Sequence, residues 1–209
     1  MAGQNDAAYK VISEGLALDE GNGLLHLEWS KAAQNLGVDP QEIGPHLQTA
    51  TTLLPQNPRA QFAWGFFLEG EGDLPKAEAA YRNTLALRKN HVDAHVRLGE
   101  ILRRQSKAAE AATHFAVAAS RAPERTDVWA GWASAAEAAG DLETAERALL
   151  QLVKLRPQQS VRLRQLVSFY KRTGDDDKAA QAQAKLDRKD PVKKRKLRKL
   201  KKRRRRKKK

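Results

Sequence analysis

The feature that most constrains this chain is an internal period of 34 residues. Stepping from Trp64-Gly65 gives Leu98-Gly99, Trp132-Ala133 and Leu166-Val167, each a large apolar residue followed by a smaller one. Other columns keep the same step: Ala77, Ala111, Ala145, Ala179; Gly72, Ser106, Gly140, Gly174; Tyr81, Phe115, Leu149, Gln183; and Lys89, Pro123, Pro157, Pro191. A fixed period of this size marks an array of supersecondary units, none of which buries its apolar face alone.

Each unit reads as helix, turn, helix. In the third, Val128, Trp129 and Trp132 recur at helical spacing until Gly140. Asp141 then suits an N-cap, because its carboxylate can accept from an unpaired amide. Leu142, Ala145, Leu149 and Leu152 continue at the same spacing, and Pro157 closes the unit because it cannot extend the ladder.

These residues resemble the tetratricopeptide repeat family: a small residue after the first-helix hydrophobe, the second-helix Ala, its aromatic partner and the closing Pro. The resemblance covers residues 58–191. It implies an all-α, right-handed superhelical solenoid of antiparallel helix pairs. The expected organisation is an N-terminal capping helix or partial repeat over 1–23 and a degenerate repeat over 24–57. Four repeats follow at 58–91, 92–125, 126–159 and 160–191, then a polybasic tail over 192–209 that is helical at its start. The register of 24–57 is fixed only to within about two residues, since Gly37-Val38-Asp39-Pro40 makes a different turn.

Charge is distributed unevenly. Residues 193–209 hold 15 Lys and Arg and no acid; without them the chain has 24 basic against 25 acidic residues. The tail cations are Lys193, Lys194, Arg195, Lys196, Arg198, Lys199, Lys201, Lys202, Arg203, Arg204, Arg205, Arg206, Lys207, Lys208 and Lys209. Leu197 and Leu200 fall in the columns of Gln61 and Trp64, so a short docked helix over 193–202 is expected as a terminal cap. The remaining tail suits a polyanion, releasing counterions on contact. It contains no aromatic for base stacking. DNA or RNA is the leading target; an anionic membrane, an acidic protein, an import signal and a merely solvated tail compete with it.

In the resembled family the first helices line a concave face that binds peptides. That register assigns the groove to Arg59, Phe62, Phe66 and Glu69, then to Asp93, Val96, Glu100, Arg103 and Arg104. Next come Asp127, Ala130, Ser134 and Glu137, and finally Arg164, Ser168, Lys171 and Arg172. Such a groove is apolar toward one end and basic toward the other, so a ligand with apolar and acidic residues fits it. The competing reading is that Phe62 and Phe66 pack on the neighbouring repeat and that the Arg side chains are solvated. A chaperone-type carboxylate clamp is not expected. Its places hold Phe62, Phe66, Arg97, Asp127 and Gly131, or one unit later Val96, Glu100, Gly131, Val161 and Gln165.

Several chemistries drop out. With no Cys there is no disulfide, thiolate site or Cys nucleophile. His91 and His95 are too few for zinc, and His95 falls in a core column. Asp175-Asp176-Asp177 lacks calcium-loop spacing and reads as a helix cap, and Glu69-Gly70-Glu71-Gly72-Asp73 reads as a turn. The four Trp read as core. No cofactor, metal or catalytic constellation is expected. The chain begins without a signal-like segment and has no long apolar run, so a cytoplasmic location is expected, nuclear or nucleoid-associated if the tail directs it. The reading is therefore a non-enzymatic adaptor that binds protein in its groove and a polyanion through its tail. Two other readings stand: a nucleic-acid-binding protein that uses its repeats for self-association, and an assembly factor on anionic membranes.

Overall fold

The structure, a computed structural model, describes residues 2–189. The polybasic tail and its expected cap helix lie outside the described residues. Within them the fold is all-helical: α1 (Ala2–Leu18), α2 (Gly23–Leu36), α3 (Pro40–Leu53), α4 (Pro58–Gly70), α5 (Leu74–Leu87), α6 (Val92–Arg104), α7 (Ala108–Arg121), α8 (Thr126–Ala138), α9 (Leu142–Leu155), α10 (Ser160–Thr173) and α11 (Asp176–Lys189). The starts of α4, α6, α8 and α10 fall one 34-residue period apart, as do those of α5, α7, α9 and α11.

The boundaries are written into short polar segments. Asn57, Asp73, His91, Asp141 and Asp175 each accept from a backbone N–H in the first turn of the helix they precede, meeting part of that turn's unpaired donors. Pro40, Pro58 and Pro75 occupy first-turn positions where no N–H is needed. Between first and second helices the backbone turns left-handed: φ is 80° at Gly72, 81° at Gly140 and 77° at Gly174. Ser106 occupies the same column with φ 62°, the one non-glycine in that region among the described residues.

The described residues divide into two compact units, the first ending at Gln105 and the second beginning at Ser106. In the first, α1 to α6 pack in chain order, each pair of consecutive helices in contact. Its core joins Leu16, Leu27, Trp29, Ile43, Leu47 and Ala60, with Trp64 and Phe67 partly buried against them. Gly65 lets α4 and α5 approach closely, since a Cβ there would lie 2.9 Å from the Tyr81 ring. The buried Tyr81 hydroxyl donates to Glu69 Oε2 at 2.9 Å. Burial and that carboxylate push the phenol's pKa up, so it remains a donor.

In the second unit, α7 to α11 again pack in chain order. Phe115 is fully buried, a gain of about 2–3 kcal/mol over an exposed ring, and its ring lies against the bare Cα of Gly131. The Tyr–Glu pairing recurs: Tyr170 donates to Glu146 at 2.8 Å, and Lys178 bonds Glu146 while lying over the Tyr170 ring. Trp129 and Trp132 pack half-buried against a core of Leu149, Leu152, Leu166, Phe169 and Tyr170. Of the four tryptophans, Trp29 alone is buried outright.

Candidate protein-binding surface

In the first unit, two first helices flank an apolar cleft of about 280 Å³. α2 supplies Leu27, Lys31 and Gln34, and α4 supplies Arg59, Phe62, Ala63 and Phe66; Leu47 and His91 complete the wall. A second cleft, of about 330 Å³, shares Gln34 and Phe66 and adds Val38, Pro40, Ile43 and Phe67. Phe66 therefore stands as a ridge between two apolar hollows. It is 42% exposed, which is unusual for a phenylalanine and needs explaining.

The two predicted aromatics behave differently. Phe62 stacks on His91 at 4.7 Å and tilts against Tyr81 at 5.5 Å, so much of it serves packing within the unit. Phe66 has one face covered by the Arg97 guanidinium, 4.9 Å from its centroid. Burial pulls the His91 pKa down, keeping a neutral imidazole whose Nδ1 accepts from Ala94 N–H.

Three of the six expected groove cations, Arg59, Arg103 and Arg172, pair with carboxylates. Arg59 and Lys31 share Glu28. Arg103 bonds Glu100 at 2.8 Å, so two predicted ligand contacts satisfy each other. Glu69, expected to face a ligand, turns inward to Tyr81 and pairs with Arg97 at 3.6 Å. Arg104 is exposed and Val96 half-buried, and neither lines the clefts. The structure thus gathers Arg59, Phe62 and Phe66, but not Val96, Glu100, Arg103 and Arg104.

The second unit has a smaller cleft of about 190 Å³, part polar and part apolar, lined by Ala130, Ala133, Ser134, Glu137, Leu149, Leu152, Gln165, Ser168 and Arg172. Arg172 spends its guanidinium on Glu137, with Nη2 2.7 Å and Nε 2.9 Å from Oε1, and donates from Nη1 to Ser168. A bidentate pair of this kind leaves little unsatisfied charge for an incoming carboxylate. Arg164 and Lys171 are exposed and lie outside the cleft.

Leu27, Lys31, Gln34 and Leu47 were not among the sequence candidates, and a register offset explains the first three. α2 and α4 begin at Gly23 and Pro58, one residue more than the 34-residue step. Stepping back by that longer interval, Phe62, Phe66 and Glu69 fall on Leu27, Lys31 and Gln34. Among the described residues no group of three or more His, Cys, Asp or Glu converges as a metal site, and no helix is long and apolar enough to cross a membrane.

Comparison with known proteins agrees with this architecture. A family model described as "Tetratricopeptide repeat" matches residues 68–125 and 131–193, more than half of the chain. No curated protein sequence matches significantly. Among solved structures, the MamA fragment from Desulfovibrio magneticus RS-1 is 22% identical, with 80% of this chain and 94% of that one covered and a TM-score of 0.69. YrrB, described as a TPR protein with an unusual peptide-binding site, is 12% identical over 88% and 94% of the two chains, with a TM-score of 0.78. PilW, described as a widely conserved type IV pilus biogenesis factor, is 20% identical over 90% and 87%, with a TM-score of 0.68. At these identities the likeness is one of fold.

Proposed function

The chain belongs to the tetratricopeptide repeat family, and on that premise we propose that it is a scaffold that receives a protein segment in the apolar clefts of its first unit. The observation that carries this reading is Phe66, held solvent-facing between two hollows by Arg97 rather than folded into the core. A segment with two large apolar side chains straddling that ring would bury it. The Arg59–Glu28–Lys31 cluster on the rim would orient polar groups of the ligand. Aromatic anchors in pockets carry most of the energy of such contacts. Peptide binding on the same fold is named for YrrB.

The test is a display library of random peptides panned against the full chain. Selected peptides should bind the unaltered protein saturably. They should weaken at least about tenfold, or roughly 1.4 kcal/mol, against Phe66→Ser, and not against Leu142→Ser, another exposed apolar position. Equal losses for both variants would reject the assignment.

The tail adds a second activity. Fifteen cations in seventeen residues favour a polyanion, and nucleic acid is the target we propose. If about 8 of them meet duplex phosphates, the log–log dependence of affinity on salt should have a slope of about −7. Tight binding to anionic vesicles with none to DNA would transfer the tail to a membrane.

A further inference from the structure

Arg97, on α6, holds its guanidinium over the Phe66 ring of α4, 4.9 Å from the centroid. Its carboxylate partner is Glu69, at 3.6 Å. That separation is longer than a hydrogen bond, so the two are paired by charge alone. Among the described residues the Arg97 guanidinium donates no hydrogen bond. Two other arginines of this unit behave differently. Arg59 donates to Glu28, and Arg103 donates from both Nε and Nη2 to Glu100.

The cause lies in the core beneath. Gly65 admits the Tyr81 ring, whose hydroxyl donates to Glu69 Oε2 at 2.9 Å. Burial raises the phenol's pKa, so that donor stays in place. The carboxylate that would satisfy Arg97 is thus committed inward. Arg97 keeps a planar fork of donors on a side chain that is 42% exposed, and contact with the ring steadies it. Charge on the rim points the same way. The first cleft is lined by two cations, Lys31 and Arg59, and by no acid; they share one carboxylate, Glu28. The one acid that lines either cleft, Glu71, borders the second. The first-cleft side of the ridge therefore complements a negative ligand group.

We propose that Arg97 is a specificity-determining residue of this surface: it receives the carboxylate of an internal Asp or Glu in the bound segment, close in sequence to the apolar side chain that covers Phe66. This rests on Phe66 being the seat of a protein segment. The spacing follows from the geometry. The 4.9 Å between guanidinium and ring is less than the rise of two extended residues, about 6.6 Å, so the acid lies within one or two residues of the anchor. A guanidinium fork and a carboxylate match bidentately, which makes the contact selective as well as attractive.

Peptides panned from a random library on the full chain, and shown to need Phe66, provide the probe. Each is synthesised with an amidated C-terminus, once with its acids and once with every Asp and Glu changed to Asn and Gln. Fluorescence anisotropy then gives the affinity of both forms. The unaltered chain should prefer the acidic form by about tenfold, the scale of one charge-assisted hydrogen bond. Arg97→Gln should bring the two forms within about twofold of each other. Arg82→Gln, an equal charge loss on α5 where Arg82 pairs with Glu78, should keep the preference. Raising KCl should shrink the preference of the unaltered chain, because the contact is partly exposed. Equal binding of the two forms by the unaltered chain, or a preference that survives Arg97→Gln, overturns the Arg97 assignment and leaves the cleft reading intact. Equal weakening of both forms by Arg97→Gln also overturns it, leaving Arg97 as a support for the ring. Failure to select any peptide that needs Phe66 overturns both readings. Thermal unfolding of Arg97→Gln should match the parent, since the ion pair it loses is long and partly exposed.

Discussion

Replacing Gly131 by alanine would place a methyl carbon 2.3 Å from Cε1 and 2.5 Å from Cζ of Phe115. Ordinary contact needs more than an ångström beyond that, and Phe115 is fully buried. Overpacking of a tight core costs about 1–3 kcal/mol, and so deep an overlap belongs at the upper end. Against it stands the helix propensity of alanine over glycine, about 1 kcal/mol. The net expectation is a destabilisation of about 2 kcal/mol. For a chain of this size that lowers Tm by roughly 4–8 °C. Circular dichroism at the helical band, followed through a thermal ramp, measures it. Gly70→Ala is the matched control, because a Cβ added there meets nothing within 4 Å, so only the propensity gain remains. Adding Phe115→Leu to Gly131→Ala should recover part of the loss by making room. A Gly131→Ala protein as stable as the parent would refute the argument that this bare Cα is what lets α7 and α8 pack.

Three further outcomes follow from the same geometry. Ser106→Gly should raise stability by up to about 1 kcal/mol, since a serine held at φ 62° carries strain that glycine does not; an unchanged denaturation midpoint would count against strain at this turn. His46 lies stacked on Trp29 at 3.9 Å with its Nδ1 2.9 Å from that of His26, and burial followed by His26 lowers its pKa, with Glu42 opposing. The folded state thus favours the neutral ring, while the unfolded chain takes up a proton near the ordinary value of 6.5. Stability is therefore retained above that pH and falls as pH drops below it, and His46→Phe should flatten the profile between about pH 7 and 5. Tyr81→Phe should cost about 1 kcal/mol through the missing hydrogen bond to Glu69, read as a shift in urea midpoint without a change in m-value.

The fold was legible because its signals are local and repeated. The left-handed turn column, the capping Asp141 and the small Gly65 against Tyr81 each act within one helix pair, so spacing alone locates them, whereas Gly131 against Phe115 joins two units and did not stand out in the sequence. The candidate surface was legible only in part. Phe62 and Phe66 follow from the register, but which ring is spent on packing depends on His91 and Arg97, brought in from outside α4. Leu27, Lys31 and Gln34 were hidden by a single extra residue in the α2–α4 step. The charge at the expected basic end of the groove was also legible only in part. Spacing counts charges on a face but not the carboxylates that reach them from a neighbouring helix, as Glu137 reaches Arg172.

The central claim is that the ligand seats on the ridge of Phe66, between α2 and α4. Amide chemical shifts of the isotopically labelled full chain, recorded while a selected peptide is titrated in, test it most directly. The account predicts that the largest changes fall in Leu27–Gln34 and Arg59–Phe67 and saturate together. Changes confined to the outer faces of α3 and α5, or to the second unit, would contradict it.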